Sequence, residues 1–268
     1  MIKNYKLLIT TFLIIIMCLF AGCTSSSMVP QKSSENTLTE KTITQSSLND
    51  IPGLLGSSPT GIKFYHNDNS SDNFDIVFID SNIGWKALYK EGNTNQQNIT
   101  LYKTSDEGVN WDKITSTYDK NYTIPLETKT GITFLDNNYG WITTITPKEG
   151  YIGLFRTTDG GYSWKKQEVN VPIDDSTLLF HTYPPTFFSE SDGILLNEVF
   201  NDSNKKIDPL VFVTNNKGES WIQLTQNVIK LNIKWNYSPE IKAGVIWSVT
   251  YKNQVWQSKN GITWNVLN

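Results

Sequence analysis

The sequence predicts an all-β chain, a β-propeller of four-stranded blades carried behind an export signal and a polar tether. Three observations predict it. One turn pattern, Ser/Thr-x-Asp/Asn-x-Gly-x-x-Trp, occurs three times in full and once shortened by a residue. A second pattern, Phe-x-Asp-x-x-x-Gly-Trp, precedes the first two copies, with a weaker third. The first 23 residues are basic, then apolar, then small. Composition agrees: of 268 residues 38% are hydrophobic and 12% aromatic, too many for a disordered chain. A net charge of −3 is too small and of the wrong sign for a nucleic-acid binder.

The export signal comes first. Lys3 and Lys6 make a basic start, and Leu7 to Phe20 is a run of 14 residues without charge. Such a run is shorter than the roughly 20 residues of a permanent membrane helix. Ala21-Gly22-Cys23 follows, with small residues at the cleavage point. This segment resembles the lipobox of bacterial lipoproteins, although the third place before the cysteine, usually Leu in that family, holds Phe20. The resemblance implies that residues 1–22 are removed and that Cys23 carries the lipid, placing the chain on the extracytoplasmic face of the cell membrane. Removal takes two lysines and no acid, so the mature net charge is −5. Cys18 leaves with the signal, so no intramolecular disulfide is available and the hydrophobic core must hold the exported domain.

Residues 23–60 read as a tether. Thr24-Ser25-Ser26-Ser27, Ser33-Ser34 and Ser46-Ser47 lack apolar periodicity, and Pro30, Pro52, Gly53, Gly56 and Pro59 punctuate them. The propeller is assigned to 61–268. Gly61 to His66 adds a strand before the first blade, and closure by pairing the two terminal strands in one blade would remove free edges.

Each blade rests on the turn pattern. Its copies are Thr104, Asp106, Gly108 and Trp111; Thr157, Asp159, Gly161 and Trp164; Thr214, Asn216, Gly218 and Trp221; and Ser258, Asn260, Gly261 and Trp264. The tryptophans are 53, 57 and 43 residues apart. A strand enters, Asp or Asn bonds backbone N–H groups about two residues on, Gly supplies positive φ, and Trp begins the return strand with its ring in the core. The second pattern, Phe78 to Trp85, Phe134 to Trp141 and more weakly Phe187 to Ile194, reads as a further hairpin. In the fourth unit, Asn232 to Trp235 and Gly244 to Tyr251 play these parts across a longer connection. Two hairpins per unit make a blade. Four units are readable, and a fifth, degenerate blade is left open.

The turn pattern resembles the Asp-box, or BNR repeat, of sialidase-like propellers. With the second pattern, residues 74–268 resemble the photosystem II stability and assembly factor group and bacterial BNR-repeat lipoproteins. In sialidases the Asp-boxes are structural turns away from the catalytic pocket, which implies the same for Asp106 and Asp159. That family also grips its substrate carboxylate with three arginines, whereas Arg156 is the only arginine here, so a sialidase site cannot be assembled.

Other chemistry has little support. His66 and His181 belong to different regions, so neither a zinc site nor a Ser-His-Asp triad is indicated. Asp68 to Asp75 is rich in oxygen ligands but lacks the glycine and terminal glutamate of an EF-hand, and reads as a solvated loop. No catalytic residue, metal or cofactor is predicted. The expectation is a non-enzymatic, membrane-anchored binding or assembly module whose partner is an unidentified protein or glycan. The alternative is a propeller glycosidase or carbohydrate-binding protein, which would need two carboxylates facing each other across one pocket.

Overall fold

Strand pairing between closely spaced turns dominates the architecture. The computed structural model describes residues 54–69, 72–201, 206–225, 232–238 and 243–267. The signal segment, Cys23 and the tether up to residue 53 lie outside the described residues. Among the described residues no helix is long and apolar enough to cross a membrane.

Four antiparallel sheets follow one another along the chain as the blades of a four-bladed propeller. The first contains β1 (Leu54–Ser57), β2 (Lys63–Asn69), β3 (Asp72–Phe78), β4 (Gly84–Glu91), β5 (Gln97–Thr104) and β6 (Asp112–Ser116). The second contains β7 (Thr128–Phe134), β8 (Gly140–Ile145), β9 (Gly153–Thr157) and β10 (Lys165–Lys166). The third contains β11 (Leu179–Thr182), β12 (Thr186–Phe187), β13 (Gly193–Phe200), β14 (Lys206–Thr214) and β15 (Ile222–Gln223). Its first strand is split at Pro184 and Pro185, which cannot donate to a ladder. The fourth contains β16 (Asn232–Ser238), β17 (Ala243–Tyr251), β18 (Gln254–Ser258) and β19 (Asn265–Leu267).

One cross-strand pair sets the register of the first three blades. Phe78, Phe134 and Phe187 sit opposite Gly84, Gly140 and Gly193. Each ring lies over its glycine so closely that a Cβ there would come within 2.7, 2.4 and 2.8 Å of the ring. In the fourth blade the longer hairpin puts Trp235 opposite Trp247 at this level, and Trp247 opposite Ser258.

Aromatic side chains join the blades. Trp85 of the first stacks on Phe134 of the second at 3.8 Å, and its indole N–H donates to the Gly160 carbonyl at 2.8 Å. Phe134 meets its own blade's Trp164 edge-on. Trp141, Phe187 and Trp221 repeat the arrangement at the next joint. At the third joint Trp264 packs on Phe188 and donates to the Thr186 hydroxyl at 3.0 Å. Trp85, Trp141 and Trp247 are fully buried. Removing an indole of roughly 200 Å² from water contributes about 5 kcal/mol before entropy, so these joints carry much of the core.

Closure differs from the sequence expectation. The terminal strands do not share a sheet, because β1 and β2 both join the first blade. The connection between Asn69 and Asp72 is so short that β2 pairs with its immediate neighbour, β3, along its whole length. First and last blades meet through a turn instead: the Trp264 N–H donates to the Ser57 carbonyl at 2.8 Å, and Gly56 lies against Thr263. The sheet begins at Leu54, inside the segment read as tether. Of Asp68 to Asp75, read as a solvated loop, Asp68 and Asn69 end β2 and Asp72 to Asp75 begin β3, with Asp75 opposite His66.

Candidate functional site

The repeat residues are placed first, since they invite a chemical reading. In the full turns the threonine hydroxyl is the hub. Thr104 accepts the N–H groups of Asp106 and Gly108 at 3.3 and 3.0 Å and donates to Asp106 Oδ1 at 2.8 Å. Thr157 does the same with Asp159 and Gly161, and Thr214 with Asn216 and Gly218. The nearer N–H groups are therefore taken by the hydroxyl. The acid reaches further than two residues: Asp106 Oδ1 accepts the Asn110 N–H at 2.8 Å, and Asp159 Oδ1 accepts the Ser163 N–H at 2.9 Å. Asn216 keeps this bond to Ser220 and donates its amide to the Ser220 hydroxyl at 2.9 Å, which explains how Asn replaces Asp there. Only the shortened copy bonds two residues on, from the Ile262 N–H to Asn260 Oδ1 at 3.0 Å.

These bonds hold the acids in their charged form. The Asn110 N–H and amide and the Thr104 hydroxyl bring the Asp106 carboxyl below its usual value. At Asp159 burial pushes upward, but the Ser163 hydroxyl and N–H and the Thr157 hydroxyl outweigh it, and the net shift is downward. The residue before each full-copy glycine also lies in the left-handed region: Glu107 at φ 64°, Gly160 at 75° and Lys217 at 58°. Glu107 and Lys217 gave no hint of this by residue type.

Trp164, Trp221 and Trp264 are buried, while Trp111 of the first blade is half-buried and packs edge-on against Phe78. Arg156 lies over the rings of Tyr139 and Trp141, at 4.9 and 5.8 Å. His181 stacks on Tyr183. None of the four turns brings its acid or amide into the cavity described next except the last, through Asn260.

A cavity of about 300 Å³ opens where the first, second and last blades meet. From the first blade, Tyr65, His66, Asp75 and Tyr89 line it; Lys129 and Thr130 come from the second; and Asn260 and Ile262 from the last. Phe64, Ile76 and Ile132 give it apolar walls. His66 Nδ1 lies 2.7 Å from Asp75 Oδ1, and the Tyr89 hydroxyl donates to Asp75 Oδ2 at 2.7 Å. Its hydrogen bond to the Asp75 carboxylate raises the His66 pKa despite partial burial. Burial, then the Asp75 charge, pushes the Tyr89 phenol far up.

Lys129 is the titratable group that the second blade contributes. Its ammonium donates to the Gln97 carbonyl and its backbone N–H to Gln97 Oε1 at 3.1 Å. Burial pulls its pKa down to about 7, with Glu127 opposing weakly. The sequence reading named His66, the Asp68 to Asp75 run and Asn260 for other reasons but did not group them, because the cavity draws on three blades. The one local signal was the short interval between His66 and Asp75, which a hairpin turns into a cross-strand pair. Among the described residues no group of three or more His, Cys, Asp or Glu is arranged to hold a metal ion.

Residues 99–264 match the family model Sortilin-Vps10, described as sortilin, neurotensin receptor 3. The chain belongs to the Sortilin-Vps10 family. The matched stretch starts on β5 and ends on the last repeat tryptophan, so it takes in all four turns of this family member. No curated protein matches the chain. Among solved structures it is similar to YCF48 bound to D1 peptide, at 21% identity and a TM-score of 0.33 over 70% of this chain and 52% of that one. It is also similar to the GH74 xyloglucanase from Xanthomonas campestris, at 10% identity and a TM-score of 0.35 over 81% and 45%. A third is the GH74 enzyme of Niastella koreensis, at 12% identity and a TM-score of 0.30 over 81% and 46%. The chain spans about half the length of each of these structures.

Proposed function

We propose that the protein is a bacterial lipoprotein, anchored through Cys23, whose Asp-box propeller binds another extracytoplasmic protein without catalysing a reaction. The observation that carries this reading is how the repeat's polar groups are used. Asp106, Asp159, Asn216 and Asn260 are each engaged by the N–H and hydroxyl groups of their own turns. The cavity contributes one carboxylate, Asp75, already bonded to His66 and Tyr89, rather than the facing pair that glycoside cleavage requires. The family description names a receptor, in keeping with a binding role. Val109 and Tyr162, at the same place in neighbouring turns, are 44% and 59% exposed and offer apolar contact points suited to a protein partner.

The test uses the full chain in a bacterial host. Wild type is expected in the membrane fraction with Cys23 as a lipid-bearing N-terminus, and Cys23→Ala in the soluble fraction. Affinity capture from detergent-solubilised membranes is expected to enrich one protein, lost on Tyr162→Glu, and a panel of aryl glycosides is expected to stay uncleaved. Glycoside turnover abolished by Asp75→Asn would favour the hydrolase alternative.

A further inference from the structure

We propose that the cavity between the first, second and last blades binds a small organic acid, an apolar body bearing one carboxylate that pairs with the Lys129 ammonium. This site is separate from the rim proposed for the protein partner.

The argument begins with what Lys129 lacks. Its stem is held, because Gln97 is itself fixed by its N–H to the Leu126 carbonyl at 2.7 Å. The ammonium has three donors, and the structure gives it one acceptor, the Gln97 carbonyl. Among the described residues no carboxylate lies at ion-pair distance from it. Glu127, just before β7, accepts the Tyr151 hydroxyl at 2.9 Å, and Asp75 across the cavity is taken by His66 and Tyr89. A half-buried cation with no counter-ion is disfavoured, and burial brings its pKa down to about 7.

An anion entering the cavity supplies the missing charge. Most of the remaining wall is apolar, Phe64, Ile76, Ile132 and Ile262 among it, and favours an apolar body beside polar groups such as Asn73 and Thr130. One ammonium balances the single charge of one carboxylate. About 300 Å³ is at the low end for ligand sites and suits a small molecule.

The pairing has a pH signature. The titratable groups around Lys129 are Glu127 just before β7, Tyr65 and His66 on β2, Asp75 on β3 and Tyr89 on β4, while the last blade offers Asn260 and Ile262, which do not titrate. In the empty cavity the amine loses its proton near pH 7, whereas the carboxylate holds it protonated. Binding above pH 7 therefore takes up one proton, and the apparent Kd rises about tenfold per pH unit.

The experiment is titration calorimetry on the full chain in detergent, with benzoate, phenylacetate and isovalerate as probes and benzamide as the uncharged control. Benzoate is expected to bind at least about tenfold more tightly than benzamide at pH 6.5. Its affinity should fall between pH 7 and 9 with uptake of one proton, and Lys129→Met should lose the preference for benzoate. His66→Gln should keep the slope. If Lys129→Met does not fold, the wild-type slope and proton uptake decide. Equal binding of benzoate and benzamide, a pH-independent affinity, or no binding of any acid up to about 10 mM overturns the proposal.

Discussion

Replacing Thr157 with valine isolates the hub of a repeat turn. The side chain is 1% exposed and makes three hydrogen bonds: it accepts from Asp159 N–H at 3.3 Å and from Gly161 N–H at 2.9 Å, and donates to Asp159 Oδ1 at 2.7 Å. Valine keeps the shape and removes all three. The Gly161 N–H is buried and finds no substitute, a loss of about 1–3 kcal/mol, while the longer Asp159 bond and the donation to a solvated carboxylate add less. The sum is about 2–3 kcal/mol, or roughly 4–12 °C in melting temperature for a domain of this size. Urea unfolding at pH 7 should show a lower midpoint with an unchanged slope. Asp159→Asn should cost less, because Asn216 occupies the same place and retains its bonds to Ser220. A Thr157→Val cost under about 0.5 kcal/mol, or an Asp159→Asn cost exceeding it, would refute the assignment of the hydroxyl as the centre of the turn.

Four further outcomes are expected. Gly140→Ala puts a Cβ 2.4 Å from the Phe134 ring, which is pinned against Trp85, and should destabilise by about 1–3 kcal/mol in the same assay; Gly140 has an ordinary φ, so a neutral result would contradict the ring-over-glycine packing. Lys217→Gly relieves a left-handed residue at φ 58° and should raise stability by up to about 1 kcal/mol in thermal melts, a loss contradicting the turn geometry. Because the folded-state pKa of Lys129 is pulled down to about 7, the unfolded chain binds the extra proton between pH 7 and 10, so stability should rise with pH there. Lys129→Met should remove that rise. His66 acts oppositely: its raised pKa contributes stability below about pH 6.5 that is lost as pH climbs through the raised value, so His66→Gln should flatten the neutral range and leave the alkaline rise.

The blades were legible because their signals are local. A Phe six residues before a Gly, or a Thr four residues before one, acts within a single hairpin, and both set the observed register. Closure was not, because it depends on which neighbour β2 finds first, and the short connection to β3 decides that locally, against any pairing with the last blade. Asp75 was misread for a similar reason: a polar run looks like loop until His66 and Asp75 face each other across a ladder. The left-handed Glu107 and Lys217 are charged residues in a conformation their side chains disfavour, imposed by the turn's hydrogen bonds. The cavity gathers Tyr65, Lys129 and Ile262 from three blades, and only the assembled ring makes them neighbours.

The binding role is tested most directly by photo-crosslinking in living cells from a phenylalanine analogue placed at Tyr162 of the membrane-anchored full chain. The account predicts a single protein adduct, reproduced from Val109, absent from a buried control position such as Trp247, and diminished by Cys23→Ala. No protein adduct from either rim position, with the chain present at the membrane, would contradict it.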